Sequence, residues 1–364
     1  MNTPCQHPSP KTPLVSVVMP VYNGARYLPE AIESILNQTF SNFELVIIDD
    51  GSTDNSWDIL TAYAAQDSRI VLSRNPGNIK LIKTLNRGLS LARGQYIARM
   101  DADDISLPER LERQVTYLQC HPEVGLLGTG YYRLNVEGKR SLRQPPLTDT
   151  EIRWKLLFGN VWCHPSIMFR SQLFESGELV YRQFAHAEDY ELWTRLLPHT
   201  CGATLTVPLL IYRVHDSSVC TMYREEQTEM VAAISARQIR TLLPHRTFTL
   251  PEIKMLRWCY SPAALTQAEV VFCPVMFELF RAFERQPNID HIIVRRLRRQ
   301  WIKRLLALNA GQLGRMWTSG LLWSILRHDP AALFMAGFIH LPQKFIRQHS
   351  RIPSEGAAYS NGSN

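Results

Sequence analysis

Short apolar segments alternate with amphipathic ones along residues 14–129, and this alternation is the feature that most restricts the fold. The apolar segments are rich in Val, Ile and Leu without polar alternation, which is typical of strands buried on both faces of a parallel sheet. With amphipathic helices between them, the pattern predicts a doubly wound α/β arrangement. The predicted strands cover residues 14–19, 45–48, 70–72, 96–100 and 124–127, and the predicted helices cover 27–36, 56–64, 81–91 and 108–118.

The second half of the chain is less regular. Strands are predicted at 164–169 and 208–214, with a helix at 189–197 between them, and most of the sequence after residue 220 has a helical pattern. Termini rich in Pro, or in Ser, Gly and Asn, are expected to be disordered. We therefore predict a disordered N-terminus at 1–12, an α/β domain at 13–219, a basic helical extension at 220–349 and a disordered tail at 350–364.

The positive charge of the chain belongs to its C-terminal part. Residues 1–216 hold 21 Lys and Arg against 23 Asp and Glu, whereas residues 217–364 hold 19 against 10. A basic extension suggests an anionic partner surface, and no motif for nucleic acid accompanies it.

The seven scattered cysteines form no CxxC pair, and the first residues lack the apolar core of a signal peptide. A reducing, cytoplasmic location is expected, with peripheral attachment to the membrane as an option.

Acidic and other polar residues follow three of the predicted strands. Ligands of doubly wound sheets bind at the carboxyl ends of the strands, so these residues are the first candidates for a site. The triplet Asp101-Ala102-Asp103 offers two hard oxygen ligands, which suit Mg²⁺ or Mn²⁺ carrying a diphosphate. The alternative is that Asp103, Asp104 or Ser106 only caps the following helix.

The pair Asp49-Asp50 permits two interpretations as well. It could form a tight turn with Gly51 and Ser52, or it could supply a carboxylate that accepts the imide N–H of uracil or thymine. No glycine-rich phosphate loop of the Rossmann or P-loop type is present.

Taken in order, four motifs of this chain resemble those of family 2 glycosyltransferases with the GT-A fold. They are PVYN, NQTF with FELVIIDDGSTD, the N.G...A.G.YI stretch, and DADD, within a match of about residues 13–219. The position in which the family often has Arg-Asn is Leu85-Asn86 here, which leaves Arg74 and Lys80 as candidates for contact with the donor phosphates.

The resemblance implies roles for individual residues in binding a nucleotide-sugar donor. Tyr22 would lie against the base, with Pro20 and Asn23 in the same turn, and Asp50 would pair with the base edge beside Asp49. Asp101 would lie near the ribose, next to Ala102. Asp103 would bind the metal, Mn²⁺ or Mg²⁺.

The segment Ala187-Glu188-Asp189 resembles the ED segment of the same family. The resemblance implies that Asp189 is the general base of an inverting transfer, with Glu188 as the alternative. Both acids could instead only open a helix, where the dipole favours them. His215, in a YR.H segment, would approach the metal or the diphosphate, and His164 would lie on the cleft floor, although single histidines often serve as structural hydrogen-bonding residues.

A basic amphipathic helix is predicted at 292–308. Val294, Leu297, Trp301, Leu305 and Leu308 share one side of it, and a second apolar segment follows after Trp317. The helix could dock on an anionic membrane face, or pack on the α/β domain with its arginines solvated.

The resulting hypothesis is an inverting hexosyl glycosyltransferase of cell-envelope, exopolysaccharide or lipopolysaccharide synthesis. It would move a sugar from a UDP-sugar to a hydroxyl of a glycan or lipid-linked glycan, and nucleic acid is not an expected partner. A dTDP-sugar donor is one alternative, because thymine keeps the same N–H. A non-catalytic nucleotide-sugar-binding protein at the membrane is the other.

Overall fold

A nine-stranded mixed sheet forms the centre of the α/β part. The computed structural model describes residues 12–174, 180–215, 222–260, 273–308 and 321–329. The strands are β1 Val15–Val21, β2 Phe43–Asp49, β3 Ile70–Arg74, β4 Tyr96–Arg99, β5 Ile105–Ser106, β6 Val124–Leu134, β7 Arg140–Arg143, β8 Met168–Arg170 and β9 Cys201–Arg213. The helices are α1 Leu28–Leu36, α2 Ser56–Gln66, α3 Leu81–Leu91, α4 Arg110–Cys120, α5 Asp149–Leu156, α6 Glu188–Leu196, α7 Arg224–Leu242, α8 Leu250–Tyr260, α9 Cys273–Glu284, α10 His291–Leu308 and α11 Leu321–His328.

The strand order is β3-β2-β1-β4-β8-β6-β9-β5, with β7 paired to the outer end of β6. Strands β1 to β4 pair in parallel, whereas β8 lies antiparallel between β4 and β6. Since β6 and β9 are parallel to each other, six of these strands run in one direction, and β5, β7 and β8 run against them. The predicted, mainly parallel sheet of the GT-A type is therefore confirmed, with an antiparallel insertion that the sequence pattern did not indicate.

Side chains alternate between the two faces of the sheet along β1. Val15, Val17 and Met19 pack with α1, α2 and α4 on one face, whereas Val18 packs with α3 and α6 on the other. Both faces are covered, which is why the strands lack polar alternation. The doubly wound prediction holds for this half of the chain.

One predicted strand is partly wrong. The segment predicted as a strand at 164–169 begins as a 3-10 turn at His164–Ser166, and the extended part is only Met168–Arg170. Pro165 has no N–H to donate to a ladder, and the Ser166 hydroxyl donates to the Cys163 carbonyl at 2.7 Å, so the chain turns before it enters the sheet. The strand predicted at 208–214 is longer than expected, since β9 already starts at Cys201.

The helices that follow β9 build a second hydrophobic core. At its centre Trp154, from α5, stacks on Phe280, from α9, with ring centroids 4.0 Å apart. The apolar side of α10 faces this core, because Val294, Leu297, Trp301 and Leu305 are all less than 5% exposed. The apolar side of α10 thus packs within the protein. The side chain of Leu308 and residue Trp317 lie outside the described part of the chain.

Polar contacts tie the helical extension to the region around α6. From α7, Arg237 pairs with Glu191 at 3.2 Å, and the Ser235 hydroxyl lies 3.1 Å from the Tyr190 hydroxyl. From α8, Arg257 Nε donates to the Phe158 carbonyl at 2.6 Å.

Among the described helices, none is both long enough and apolar enough to cross a bilayer. The predicted disordered segments fall almost wholly outside the described residues.

Candidate active site

A cavity of about 1000 Å³ opens at the carboxyl ends of β1 and β4. The turn after β1, the acidic segment after β4, the β6–β7 loop and the end of β9 form its wall. Seven of the eleven predicted site residues line it, namely Pro20, Tyr22, Asn23, Asp101, Ala102, Asp103 and His215. The other four do not line it: Asp49 ends β2 and Asp50 follows it, whereas Glu188 and Asp189 open α6.

Three carboxylates lie close together at this end of β4, and two of them, Asp101 and Asp103, line the cavity. One ligand oxygen from each of Asp101, Asp103 and Asp104 lies within 4.8 Å of the others. Asp101 forms an ion pair with Arg99, and Asp103 Oδ2 lies 2.9 Å from His215 Nε2. Asp104 is fully buried. The sequence interpretation treated Asp104 only as a possible helix cap, so its place in this cluster is a finding of the structure.

Only one oxygen of the Asp104 carboxylate accepts a hydrogen bond from the described residues. Its Oδ1 accepts the backbone N–H of Arg213 at 2.8 Å, while Oδ2 is buried without a hydrogen-bond partner among the described residues. Burial raises the pKa of Asp104 well above its usual range, and the charges of Asp101 and Asp103 raise it further. Burial also raises the pKa of Asp101, in spite of the Arg99 guanidinium beside it.

Such a cluster is costly unless a cation or protons compensate its charge. Carboxylate oxygens with one imidazole fit Mn²⁺ or Mg²⁺, and the unsatisfied oxygen of Asp104 leaves coordination capacity. The residues present therefore fit the predicted metal.

The end of β9 is fixed over the start of α1. The His215 ring stacks on Tyr27 at 5.4 Å between centroids, and the Arg213 guanidinium lies over the same ring at 4.8 Å. Arg213 also pairs with Glu30. Arg213 and Glu30 are 183 positions apart in the sequence, so their contact joins distant parts of the chain. Together these contacts hold His215 against the acidic cluster.

The turns after β1 and β2 are joined by hydrogen bonds. The Asn23 N–H donates to Ser52 Oγ at 2.9 Å, and Asn23 Oδ1 accepts the Thr53 N–H at 2.8 Å. Asn23 has a positive φ of 50°, a conformation that asparagine tolerates better than most residues. The Tyr22 ring remains 50% exposed at the cavity, so it is free to contact a ligand.

Asp50 organises the loop that follows β3. Its Oδ1 accepts from Asn75 Nδ2 at 2.8 Å and from the Ile79 N–H at 2.9 Å, and its Oδ2 accepts the Lys80 N–H at 3.0 Å. A carboxylate has about four acceptor positions, so one on Oδ2 remains. Gly51, with φ of 70°, lies so close to this loop that a Cβ would be 2.6 Å from Gly77.

Asp49 has a different environment from its neighbour. It is fully buried, and its Oδ2 lies 2.9 Å from Arg74 Nε. It also accepts the Ser52 N–H at 3.3 Å. Arg74, a sequence candidate for contact with donor phosphates, is thus engaged by Asp49 in this structure.

Glu188 and Asp189 open α6, and the charge of Asp101 in the acidic segment acts on Glu188. Asp189 Oδ1 accepts the Tyr190 N–H at 2.6 Å, and its Oδ2 accepts from Asn160 Nδ2 at 2.6 Å. Glu188 is 7% exposed and lies 4.0 Å from the ring of His164. His164 Nε2 is 2.7 Å from the Tyr181 hydroxyl, and its buried position is that of a structural histidine.

Both acids of α6 titrate near neutrality. Burial raises the pKa of Asp189 to about 6, although its two hydrogen bonds and the positive charge of Arg99 oppose the increase. Burial and the charge of Asp189 raise the pKa of Glu188 to about 7. Burial thus makes both carboxyl groups easier to protonate than an exposed carboxyl group is.

Arg99 and Asn160 are two residues of this region that the sequence interpretation missed. Arg99 is 4% exposed within β4, it pairs with Asp101, and its positive charge acts on both acids of α6. The signal that could have found it is a charged residue within an otherwise apolar strand, because a buried arginine is costly unless acids surround it. Asn160 has no comparable signal, since it lies in an irregular loop.

Comparison with known proteins shows the family. Residues 16–176 match the model described as "Glycosyl transferase family 2". An uncharacterised glycosyltransferase of Haemophilus influenzae is 33% identical over 238 residues, which are 62% of this chain and 73% of that protein. The O-antigen biosynthesis glycosyltransferase WbnJ of Escherichia coli is 32% identical over 245 residues, 65% of this chain and 91% of that protein.

Two solved structures share the fold. The S. aureus protein TarS in complex with UDP has a TM-score of 0.51 at 19% identity, covering 74% of this chain and 80% of that one. The Pyrobaculum calidifontis mannosyltransferase PcManGT, in complex with GDP-Man and Mn²⁺, has a TM-score of 0.50 at 17% identity, covering 90% and 86%. The chain belongs to glycosyl transferase family 2. It is therefore an enzyme that transfers sugars, which argues against the non-catalytic alternative.

Proposed function

We propose that this glycosyltransferase moves a sugar from a UDP-sugar to an acceptor hydroxyl with inversion, and that it uses Mn²⁺ or Mg²⁺. The observation that carries the proposal is the cluster of Asp101, Asp103 and Asp104 oxygens, within 4.8 Å of one another, of which Asp101 and Asp103 line the 1000 Å³ cavity and Asp104 is buried behind them. A cavity of that size accommodates a nucleotide sugar. An oxygen cluster there suits a cation bound to the diphosphate of the donor.

The base of the donor is assigned to Tyr22 and Asp50. The exposed Tyr22 ring offers a stacking surface, and Oδ2 of Asp50 keeps one acceptor position that suits the imide N–H of uracil. Thymine has the same N–H, so a dTDP-sugar is the alternative donor. Among proteins of similar fold, TarS has been solved with UDP-GlcNAc and PcManGT with GDP-Man. Pro20, Asn23 and Ala102 would form the adjoining wall.

The metal is assigned to Asp103 and His215, with Asp101 on the ribose side. Asp104, which the sequence interpretation did not include, is added as a third acid because its Oδ2 has no hydrogen-bond partner in the described structure. When bound, the cation would neutralise the charge that develops on the departing diphosphate. Arg213 keeps Asp104 in place through its backbone N–H.

Asp189 is assigned the role of general base. The acceptor oxygen forms a bond to the anomeric carbon, the bond from that carbon to the diphosphate oxygen breaks, and the hydroxyl proton passes to the Asp189 carboxylate. A pKa of about 6 leaves this carboxylate ionised at neutral pH and still basic enough to take a proton. Glu188, whose pKa of about 7 keeps a larger protonated fraction, is the alternative.

Nucleotide binding tests the donor and metal assignments together. In a thermal-shift series with UDP, dTDP, GDP and CMP, we expect stabilisation by UDP only when Mn²⁺ is present. A ligand at about 100 times its dissociation constant stabilises the folded state by roughly 2.7 kcal/mol, which is readily measured. An equal shift with dTDP would leave the choice between the two donors open.

A matched variant identifies the site of the shift. Asp50→Asn replaces the carboxylate by an amide of the same shape, so the UDP shift is expected to fall, while the exposed Asp58→Asn variant should respond like the parent protein. A shift with GDP alone, or shifts that do not depend on Mn²⁺, would contradict the assignments of Asp50 and Asp103.

The acceptor is proposed to be a glycan or lipid-linked glycan of the cell envelope. The names of several relatives refer to such synthesis, among them WbnJ and the amylovoran biosynthesis glycosyltransferase AmsE of Erwinia amylovora, which is 33% identical over 187 residues.

We propose peripheral attachment to the cytoplasmic face of the membrane through the basic side of α10, where Arg295, Lys303 and Arg304 are exposed. Since the apolar side of α10 is buried, the attraction would be electrostatic.

Vesicle binding tests this attachment. The protein is expected to sediment with vesicles that contain phosphatidylglycerol and not with phosphatidylcholine alone, and added salt should release it. Each basic residue near an anionic surface contributes about 1 kcal/mol, so an R295Q/K303Q/R304Q variant should bind more than tenfold more weakly. The K139Q/R140Q/R143Q variant loses the same charge from the exposed region around β7 and should bind normally. Equal loss in both variants would contradict α10 as the contact surface.

A further inference from the structure

The carboxylate of Asp189 is held by a side chain from outside its own helix. Asn160 lies in the loop after α5, and its Nδ2 donates to Asp189 Oδ2 at 2.6 Å. The other oxygen, Oδ1, accepts the Tyr190 N–H at 2.6 Å. Each oxygen of the carboxylate thus has one donor and retains a further acceptor position. The donors on both oxygens prevent the carboxylate from rotating freely about its last bond.

The orientation of the Asn160 amide follows from its neighbours. Its Oδ1 accepts the Trp162 N–H at 3.4 Å, and a backbone N–H requires the oxygen rather than the nitrogen of the amide. The NH₂ group must therefore face Asp189. A carboxylate without protons can only accept, so the pair is complementary when Asp189 is ionised, as a base has to be before the reaction.

Both sides of the Asn160 loop are anchored. On one side the Phe158 carbonyl accepts from Arg257 Nε at 2.6 Å, and on the other the Trp162 indole N–H donates to Thr204 Oγ1 at 2.8 Å. The side chain of Asn160 itself is exposed, in contrast to its anchors. An exposed residue with fixed flanks can orient a catalytic group at the edge of a cleft without being needed for the core.

We propose that Asn160 is a positioning residue for sugar transfer, which holds the Asp189 carboxylate so that its free acceptor position faces the acceptor hydroxyl. This inference rests on the proposed role of Asp189 as general base. During the reaction the hydroxyl proton moves to Asp189, and Asn160 neither gains nor loses a proton.

The charged and titratable groups around Asp189 belong to other residues than Asn160. The positive charge of Arg99 from β4 favours the ionised carboxylate, and the Asn160 hydrogen bond favours it as well. Burial raises the pKa of Asp189 and the Asn160 hydrogen bond lowers it. When that hydrogen bond is lost, the pKa of Asp189 should therefore rise. The other groups whose charges interact with Asp189 are Glu188 on the same helix, Tyr181 and Cys163.

The test measures transfer as a function of pH in two variants. In Asn160→Ala, misplacement of the base is expected to lower kcat by about 10- to 100-fold with an unchanged KM for the donor. The acidic limb of the pH profile should move up by about one pH unit, because a hydrogen bond to the ionised form is lost. In Asn160→Asp, which keeps the shape and adds a like charge, the limb should move further in the same direction.

The controls separate this proposal from the role of Asp189. Asn42→Ala removes an exposed asparagine before β2, at the opposite end of the sheet, and should leave kcat and the pH profile unchanged. If Asp189→Asn is inactive while Asn160→Ala and Asn160→Asp both keep the parent kcat and acidic limb, Asn160 has no positioning role. If Asp189→Asn retains transfer, the base assignment itself is wrong, and the role of Asn160 is overturned with it.

Discussion

Replacing Asp103 by asparagine is expected to lower sugar transfer by at least about 100-fold. Asparagine keeps the shape of the side chain but removes one negative charge from a cluster whose oxygens lie within 4.8 Å of one another. Neutral amide oxygens bind hard divalent cations more weakly than carboxylates do, so the charge on the departing diphosphate would be less well stabilised. Product formation measured across a Mn²⁺ titration reports this change.

The metal dependence of the Asp103→Asn variant distinguishes binding from chemistry. Part of the activity should return at high Mn²⁺ concentration, because the other ligands remain, and the UDP-dependent thermal shift should need more metal than in the parent protein. His215→Ala is expected to weaken metal binding in the same direction, since its imidazole lies 2.9 Å from Asp103. A fully active Asp103→Asn variant at low Mn²⁺ would exclude Asp103 as a metal ligand, and the exposed Asp58→Asn variant controls for loss of charge alone.

Replacing Asp189 by asparagine is expected to lower transfer by about 10²- to 10⁴-fold, which is the usual contribution of a general base. The amide has no basic oxygen to take the proton of the acceptor hydroxyl. Donor binding should persist, because Asp189 is at the start of α6 and does not line the donor cavity. Single-turnover transfer, together with the UDP–Mn²⁺ thermal shift, measures the two properties separately.

The pH dependence of the parent enzyme provides a second test of Asp189. A base must be ionised, and burial raises the pKa of Asp189 to about 6, so kcat/KM should increase as the pH rises through about 6 and then level off. Glu188→Gln is the comparison variant, and it should keep most of the activity. Loss of transfer in Glu188→Gln with near-normal rates in Asp189→Asn would transfer the role of base to Glu188.

Much of the α/β half was predictable because its signals are local. The continuous apolar runs of β1 and β2 indicate burial on both faces, and the helix predicted at 81–91 coincides with α3. The carboxyl ends of parallel strands meet at one edge of a sheet, so Tyr22 and Asp101 were expected near each other, and both line the same cavity. The segment at 164–169 was predicted as a strand from its apolar residues, although Pro165, which has no N–H for a ladder, is a local signal for the turn that the structure shows.

The site contacts that were missed join residues that are distant in sequence. The pair Asn160 and Asp189 is separated by 29 positions, and Asp104 and Arg213 by 109. No periodicity in the chain encodes such pairs, because they depend on which loops the sheet brings together. The hydrogen bond between Asn160 and Asp189 joins the loop after α5 to the start of α6, and the approach of these two segments is a property of the whole fold.

The sequence by itself determined the family motifs, the doubly wound pattern and the amphipathic character of α10. It did not determine what covers the apolar side of that helix, because the same periodicity suits a membrane surface and a protein core. Tertiary structure decided the matter: Trp301 is 3% exposed and packs beside Phe277 and Phe280 of α9. Burial depends on contacts between helices far apart in the chain, and only the folded molecule specifies them.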